Sequence, residues 1–495
     1  MTHATKLGLT LLGAALALGV LGDALLRATP WGLNVVLWIG PLVAVGILLA
    51  SRHEVALTGG GRWLIAPAIF FAAVLAWRDS PTLNWLNLSA LLAALALVAL
   101  RARAGRVLIA GVLEYVQGFL VAAVGWAIGL FELLVDDIKW KEMPSRDWSK
   151  QATAAGRGLA IALFLLFVFG GLFVAADAVF EDFVARLFDW DVDEVVTRTI
   201  LISFWTILAG GFLRRTLMAK EWTGSAFRQP KSLSLGSVEI GVALGMLNAL
   251  FLAFVVVQVR YLFGGAGVVE SSIHLTYAEY ARRGFFELVA VAALVLPTLL
   301  VAHWLLPEGD TAARRLFSLL AGALIGLLFV IMASAVQRML LYQREFGLTE
   351  LRVYTTAFMG WLAIVFVWFA VSVLRGRRER FAFGALAAGF TVILALHALN
   401  PDDLIARVNT NRPDAAVPFD ARYVTALSAD AVPALVEALP QMNESDRCLV
   451  AAHLLARWSP PATPDWRTWN FSRAQAWATV DANRAYLQSV ACPGR

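Results

Sequence analysis

Long apolar runs, separated by short polar connections, fill residues 1–399 of the chain. A helix needs about 20 mainly apolar residues to cross a bilayer, and a crossing segment must be helical because hydrocarbon offers free backbone groups no partner. The pattern therefore predicts an all-α polytopic bundle of about eleven spans, of which the third is the shortest. The predicted spans lie at residues 7–26, 31–50, 62–77, 82–100, 157–180, 198–219, 236–262, 284–306, 314–337, 353–374 and 381–399.

The segment 107–135 is apolar enough to cross, but it carries Glu114, Gln117 and Glu132 together with several glycines. Positive residues of membrane proteins concentrate in cytoplasmic connections. If the segment does not cross, the basic connections at 101–106, 139–150, 214–231 and 375–380 share one side, and the acidic connection at 181–194 lies on the other. We therefore predict an interfacial or re-entrant helical hairpin on the cytoplasmic face.

The same count of charges orients the whole chain. It places the N-terminus in the cytoplasm and the C-terminus outside it. The chain then divides into a transmembrane domain, residues 1–399, and a small extracytoplasmic helical domain, residues 400–495, which has arginines but no lysine. Three stretches of this domain show apolar residues at helical spacing. They begin at Ser428, at Asn443 or Ser445, and at Ser472, the second running through Trp458 and the third toward Val490.

Composition strengthens the membrane assignment. The chain is 59% hydrophobic and 16% charged, whereas soluble proteins are about 45–50% apolar and about 25% charged. The net charge of +5 comes mostly from arginines between apolar runs, which indicates orientation in a bilayer rather than nucleic-acid binding. The first apolar run is longer than the core of a signal peptide, roughly 7–15 residues, so it is expected to be the first span.

Two cysteines, Cys448 and Cys492, lie in the C-terminal domain. An even pair outside the cytoplasm is typical of a disulfide. The alternative is two unpaired thiols, which follows if the domain is cytoplasmic.

No catalytic motif is present, and the six histidines show no metal-ligand spacing, so no catalytic residue, metal or cofactor is predicted. Four carboxylates fall within or beside predicted spans, where charge is costly and often functional. Each lies close to a predicted end, where its side chain can reach the membrane surface. They are Asp23, Asp177, Glu239 and Glu287.

Polar and aromatic residues concentrate in two connections that the predicted topology places on the outer side. They predict an outward-facing binding pocket; the alternative is a set of tyrosine and arginine anchors at the membrane surface. Glu279, Arg283 and Glu287 are spaced four apart and share one helix face. The candidate residues are Gln258, Tyr261, Tyr277, Glu279, Tyr280, Arg282, Arg283 and Glu287 around the first connection, and Arg338, Tyr342, Thr349 and Arg352 around the second.

Three segments carry a resemblance to a known family. They are Gln-Val-Arg-Tyr-Leu-Phe-Gly-Gly (258–265), Thr-Tyr-Ala-Glu-Tyr-Ala-Arg-Arg-Gly-Phe-Phe-Glu-Leu (276–288) and Leu-Tyr-Gln-Arg-Glu-Phe-Gly-Leu-Thr-Glu-Leu-Arg (341–352). The chain resembles a bacterial family of multi-pass membrane proteins catalogued as a domain of unknown function. The resemblance implies a bacterial cytoplasmic membrane location and brings no activity.

Two hypotheses for function remain. The first is a non-enzymatic envelope sensor, scaffold or assembly partner, which sits in the lipid bilayer and binds an envelope protein through its outer surface. The second is a transporter of a small or amphipathic solute, which predicts broken helices at mid-membrane. The glycine pairs 170–171 and 210–211 would be weak points of that kind, although paired glycines more often allow close helix packing.

Overall fold

The computed structural model describes residues 1–55, 63–101, 111–142, 177, 192–218, 236–263, 285–307, 309–412 and 419–492. These residues form helices and connections and contain no β-strand. The helices before residue 400 are α1 (His3–Leu26), α2 (Leu33–Arg52), α3 (Ile65–Val74), α4 (Pro81–Arg101), α5 (Val112–Glu132), α6 (Val192–Leu217), α7 (Ser237–Phe263), α8 (Phe285–Trp304), α9 (Thr311–Phe346), α10 (Glu350–Ser372) and α11 (Phe381–Leu399). The C-terminal domain adds α12 (Pro401–Thr410), α13 (Ala421–Ala426), α14 (Val432–Ala438), α15 (Glu444–Trp458), α16 (Phe471–Ala482) and α17 (Arg484–Val490).

Ten described helices are long and apolar enough to cross a membrane, which confirms the predicted all-α polytopic bundle. The exception before residue 400 is α3, which replaces the predicted span 62–77 with a helix of ten residues. The predicted span 157–180 lies outside the described residues except for Asp177.

The segment 107–135 differs in shape from the prediction. Its described part is one continuous helix, α5, extended by a π-helical turn at Leu133–Asp137, and not a hairpin. Its glycines serve packing instead of turning the chain: a Cβ on Gly129 would meet the Cα of Gly211 in α6 at 2.9 Å. By length and composition, Val112–Asp137 is one of the ten candidate spans.

The bundle has two distinct ends. At the domain end, which carries the C-terminal domain, α1, α3, α7, α9 and α11 finish, and α2, α4, α8 and α10 begin. At the far end, α5 continues into a turn whose Ile138 packs on Gly8, in the second turn of α1. Arg214, near the end of α6, forms ion pairs with Glu132, the last residue of α5, and with Asp137, in the turn that follows α5.

Apolar burial divides the bundle into two halves. One core joins α1–α6, and a second joins α7–α10. Helix α11 contacts both, since Ala382 belongs to the first core and Phe381 to the second. A third core fills the C-terminal domain and includes Leu348 and Val353 at the start of α10, so the domain packs directly on the bundle.

Local capping explains the helices of the C-terminal domain. The Asn443 side chain accepts from Asp446 N and starts α15, which ends at Trp458 as predicted. The predicted helix from Ser472 toward Val490 is instead two helices, α16 and α17, because Asn483 interrupts it as a C-cap. Helices α12 and α13 add two elements that the apolar pattern did not predict.

The geometry of the two cysteines is consistent with the predicted disulfide. Cys448 in α15 is bonded to Cys492 after α17, and their Cα atoms are 4.8 Å apart. That separation lies within the range of about 4.4–6.8 Å that a disulfide requires. The bond holds the end of the chain against α15.

Candidate functional site

The connection between α3 and α4 is held by a buried carboxylate of the C-terminal domain. Asp430 Oδ2 accepts from the backbone N–H groups of Asp79 (2.8 Å) and Ser80 (3.2 Å). Arg78 Nη1 lies 3.3 Å from Asp430 Oδ1, and the Asp430 side chain is fully buried. A carboxylate at the start of a helix satisfies free N–H groups and favours the helix dipole. Asp430 therefore anchors the start of α4 from about 350 residues away.

The same connection receives donors from the start of α16. Asn470 Nδ2 donates to the carbonyls of Leu75 (3.0 Å) and Arg78 (2.9 Å), and Phe471 N donates to Ala76 O (2.8 Å). Ser472 Oγ lies 2.5 Å from Asp430 Oδ1, which links this set to the carboxylate. The carbonyl groups that follow α3 thus find their partners in the C-terminal domain.

Arg473 extends the contact to the connection between α1 and α2. Its side chain is buried; Nη2 donates to Trp31 O (3.1 Å), and Nη1 lies 3.5 Å from Asp79 Oδ1. Trp469 O accepts from Leu33 N (2.8 Å), the first residue of α2. We call Asp79, Asp430, Asn470, Ser472 and Arg473 the clasp.

Burial changes the acid–base properties of the clasp. Burial raises the pKa of Asp79 to about 6, against the opposing effect of the Arg473 guanidinium, and Asp430 raises it further. Burial also lowers the pKa of Arg473. Nearby, burial raises the pKa of Asp402 to about 6, although Ser428 donates to its carboxylate. We call the contact surface between the C-terminal domain and the bundle the seam. It therefore contains two carboxyls, Asp79 and Asp402, whose pKa values lie above the ordinary range.

Further caps reach the other half of the bundle. Arg412 Nη2 donates to Arg344 O near the end of α9 (2.9 Å), and Tyr423 Oη accepts from Glu350 N at the start of α10 (2.8 Å). The Asn409 amide bonds both the N–H and the carbonyl of Leu348, at 2.8 and 2.9 Å. Together with Arg467, which donates to Ala24 O in α1 (2.6 Å), the domain bonds the ends of helices in both half bundles.

Gly347 is required for this second set of contacts. Its φ of +75° lies in the left-handed region that disfavours side chains. A Cβ there would also meet Asn409 Oδ1 at 2.4 Å. Glycine thus lets α12 approach the turn between α9 and α10.

Exposed aromatic side chains surround the seam. Trp31 and Trp77 adjoin the clasp on the bundle side, and Trp466, Trp469 and Phe471 adjoin it on the domain side. Tryptophan is favoured at the membrane–water interface, where its ring is apolar and its N–H is polar. The seam has the composition of a membrane-interface belt.

The structure brings part of the sequence-predicted pocket together. Gln258 of α7 is buried, and its Oε1 accepts from Ser334 Oγ (3.2 Å) and Arg338 Nη2 (2.6 Å) of α9. One turn further, the Arg352 guanidinium stacks on the Tyr342 ring at 4.2 Å from its centroid and donates to Gly347 O. Both arginines have partners inside the protein.

The remaining pocket residues are less informative. Thr349 precedes α10 without a capping side-chain bond, and Glu287 is exposed in the first turn of α8. Tyr261 lies in the last turn of α7. Tyr277, Glu279, Tyr280, Arg282 and Arg283 fall outside the described residues.

Sequence reasoning missed the clasp. The only local signals were Asp79 and Ser80 just before Pro81, and Asn470 before the third predicted stretch, which are ordinary helix-start residues. Nothing in their spacing showed that the two starts share one carboxylate. Among the described residues, no three His, Cys, Asp or Glu side chains are grouped to hold a metal ion.

Comparison with known proteins gives one match. A family model described as "Domain of unknown function (DUF4153)" matches residues 65–438, which run from the first residue of α3 to the last of α14. No curated protein matches the chain, and no solved structure does. The matched region contains Asp79 and Asp430, and the other three clasp residues lie beyond it.

Proposed function

The chain belongs to the DUF4153 family, and we propose that it is a membrane-embedded scaffold of the bacterial envelope that binds a partner through its C-terminal domain. The observation that carries this proposal is the set of caps that the domain places on both half bundles. Asp430 and Arg467 bond the first half, and Arg412 and Tyr423 bond the second. A domain held at so many helix ends presents its surface in one fixed orientation.

The caps on both half bundles also argue against transport by a rocking movement of one half against the other. Alternating access in many transporters moves one half bundle against the other around a central site. Here α11 contacts both halves and the caps join them again at the domain end, so rocking would break buried hydrogen bonds and the Arg78–Asp430 pair. Breaking a buried ion pair typically costs about 3–5 kcal/mol.

Charge supports the orientation in which the domain lies outside the cytoplasm. The basic residues of the far end include a cluster in the connection between α10 and α11, as cytoplasmic connections do. At the domain end, Arg27 and Arg198 both pair with Glu194, which offsets one of their two charges, and Arg78 pairs with Asp430. The far-end basic residues whose side chains the structure describes include Lys6, Arg52, Lys139, Arg214, Arg215, Arg314, Arg315, Arg375, Arg377, Arg378 and Arg380. The bond between Cys448 and Cys492 fits the same orientation.

Photo-crosslinking in cells tests the scaffold proposal. A photoreactive residue at Glu444 or Tyr486, both exposed on the domain, should give a discrete protein adduct. The same residue at Val242, exposed on α7 among apolar neighbours, should give none. Asp430→Asn should weaken the adduct, because the domain would no longer be held in one orientation. Absence of a discrete adduct at both domain positions would contradict the proposal.

One cavity favours a second candidate, a carrier of an amphipathic solute. It has a volume of about 310 Å³ and lies between α2, α4, α5 and α6, with lining residues that are all apolar or aromatic. Trp126 and Trp205 line it, and neither indole N–H has a hydrogen-bond partner in the described residues. Movement of a labelled phospholipid across vesicles that contain the purified chain, lost in Trp205→Ala, would favour this candidate over the scaffold.

A further inference from the structure

A second cavity opens at the far end, where α10 turns back into α11. Gly376, with φ of +77°, reverses the chain, and a 3₁₀ turn at Arg378–Arg380 leads into α11. Trp368 Nε1 donates to Arg380 O (3.2 Å), which holds this turn against α10. The turn faces Arg314, in the first turn of α9.

The cavity has a volume of about 410 Å³ and two kinds of wall. That volume falls within the range of about 300–1,000 Å³ typical of small-ligand sites. Its rim carries Arg314, Arg377, Arg378 and Arg380, with Glu379 as the one acidic residue among those that line it. Its apolar wall comprises Leu306, Phe317, Val373 and Leu374. We call this site the arginine pocket.

The positive charge of the arginine pocket is not neutralised by the part of the chain that the structure describes. None of the four rim arginines forms an ion pair with a described carboxylate. Asp310, which directly precedes α9, instead caps that helix by accepting from Ala313 N at 2.9 Å. Like charges placed around one cavity repel each other, so a bound anion would stabilise the arrangement.

We propose that the arginine pocket binds a phosphate group that carries net negative charge. Guanidinium groups bind phosphate through paired hydrogen bonds, and Arg is the residue best suited to that geometry. The apolar wall suits the uncharged part of an amphipathic ligand, and basic pockets between helix ends are typical of anionic lipid head groups. The phosphate belongs either to an anionic phospholipid or to a soluble phosphate anion. The apolar part of a phospholipid would cover the apolar wall, whereas a soluble anion would leave it uncovered.

The test uses the full-length chain purified in detergent, with native mass spectrometry as the readout of bound lipid. Phosphatidylglycerol and phosphatidylcholine are titrated separately, and sodium pyrophosphate is the soluble probe. The pocket variant is Arg314→Gln/Arg378→Gln. The matched control is Arg315→Gln/Arg375→Gln, which removes two exposed arginines from the same two segments outside the pocket lining.

If a lipid head group is the ligand, the wild-type chain binds phosphatidylglycerol at least about tenfold more tightly than phosphatidylcholine. The pocket variant loses about tenfold in affinity, the effect of one hydrogen bond to a charged group, and the control stays within about twofold. If a soluble phosphate is the ligand, pyrophosphate raises the melting temperature of wild type and control but not of the pocket variant. The lipid preference of the wild-type chain is measured without any variant, so it does not depend on how the variants fold. Equal behaviour of pocket and control variants with both probes would overturn the proposal.

Discussion

At the scale of single residues, Asp430 makes several contacts at once. Its carboxylate accepts two backbone N–H groups, pairs with Arg78 and contacts Ser472, all at a site that water does not reach. An amide in place of this carboxylate keeps one accepting oxygen and loses the other, so part of its donors would lack a partner, and each such donor costs roughly 1–3 kcal/mol. The clasp thus depends on the charge of one side chain.

Asp430→Asn tests that dependence. The amide keeps the size of the side chain but removes the charge that Arg78 faces, so we expect the free energy of unfolding of the C-terminal domain to fall by roughly 3 kcal/mol. Limited proteolysis of the purified chain and thermal unfolding would both detect the change. Asp481→Asn is the control, because Asp481 is exposed and pairs only with Arg484 at the surface. Equal effects of the two substitutions would rule out the anchoring role.

How much of the site was predictable follows from the range of its contacts. Helix-start residues such as Asp79 and Asn470 are recognisable from local pattern, because capping is a local interaction. Their shared contact with Asp430 is not, because 350 residues separate Ser80 from Asp430. The polar residues around Gln258 and Arg338 were recognisable as candidates for a pocket, but whether they bind each other or a ligand depends on packing.

The raised pKa values of Asp79 and Asp402 predict a pH dependence of domain docking. Both carboxyls have a pKa raised to about 6 from an ordinary value of 3.8, mainly by burial. A carboxyl with a raised pKa in the docked state binds its proton more tightly there than when exposed, so docking gains stability as the pH falls from above 6 toward 4. Arg473 and Asp430 face Asp79, and Glu350 and Asp430 face Asp402.

We therefore expect the C-terminal domain to exchange its amide hydrogens more slowly at pH 5 than at pH 7.5, after correction for intrinsic rates. Asp79→Asn/Asp402→Asn should flatten this dependence, because neither amide titrates. A domain that becomes less protected between pH 7.5 and pH 5 would show that burial of these carboxyls does not dominate.

At the scale of elements, the glycines of α5 and α6 allow close packing of the two helices rather than a turn within α5. Gly211 of α6 lies against the backbone of Trp126, and a Cβ there would be 2.3 Å from its carbonyl oxygen. Gly129 faces Gly211 from the other helix. Small residues let membrane helices approach closely, which favours packing over the hairpin predicted for 107–135.

Gly211→Ala should therefore destabilise the bundle by about 1–3 kcal/mol, the usual cost of overpacking a close contact. Gly245→Ala in α7 is the matched control, because a Cβ there meets nothing within 4 Å. The control should be neutral or slightly stabilising, since alanine favours a helix over glycine. Thermal unfolding in detergent compares the two, and a Gly211→Ala chain as stable as the control would show that the helices separate easily.

Most of the bundle could be predicted because a span is a local property of about 20 apolar residues. Two predicted helices differ from the structure in their length. Within the described residues 63–77, the one α-helix is α3, which has ten residues. The last predicted helix of the domain breaks at Asn483, which serves as the C-cap of α16.

The disulfide holds the chain that follows α17 against α15. The bond between Cys448 and Cys492 spans 44 residues of sequence, and a loop of that length predicts a stabilisation of about 4 kcal/mol if the loss of chain entropy dominates. Native, unreduced protein should therefore resist alkylation at both thiols, and reduction should lower the melting temperature of the C-terminal domain. Alkylation of both cysteines without reductant would place the domain in a reducing compartment.

At the scale of the whole molecule, one domain braces two half bundles. The two cores do not need each other for burial, since each is built from its own helices, and α11 contacts both. The caps from Arg467 and Asp430 on one side, and from Arg412 and Tyr423 on the other, add a second connection at the domain end. The far end has no equivalent domain among the described residues, and four of its arginines line the arginine pocket.

The difference between the domain end and the arginine-rich far end predicts on which side of the membrane each end lies. A cysteine placed at Ser445, exposed at the start of α15, should react with an impermeant maleimide in spheroplasts. A cysteine at Ser51, exposed at the end of α2, should react only after the membrane is permeabilised, because an arginine-rich end is expected to face the cytoplasm. The unsubstituted chain is the control and should remain unlabelled, since its two cysteines are bonded to each other. The reverse labelling pattern would keep the fold and the clasp, but it would move the binding surface of the proposed scaffold to the cytoplasm.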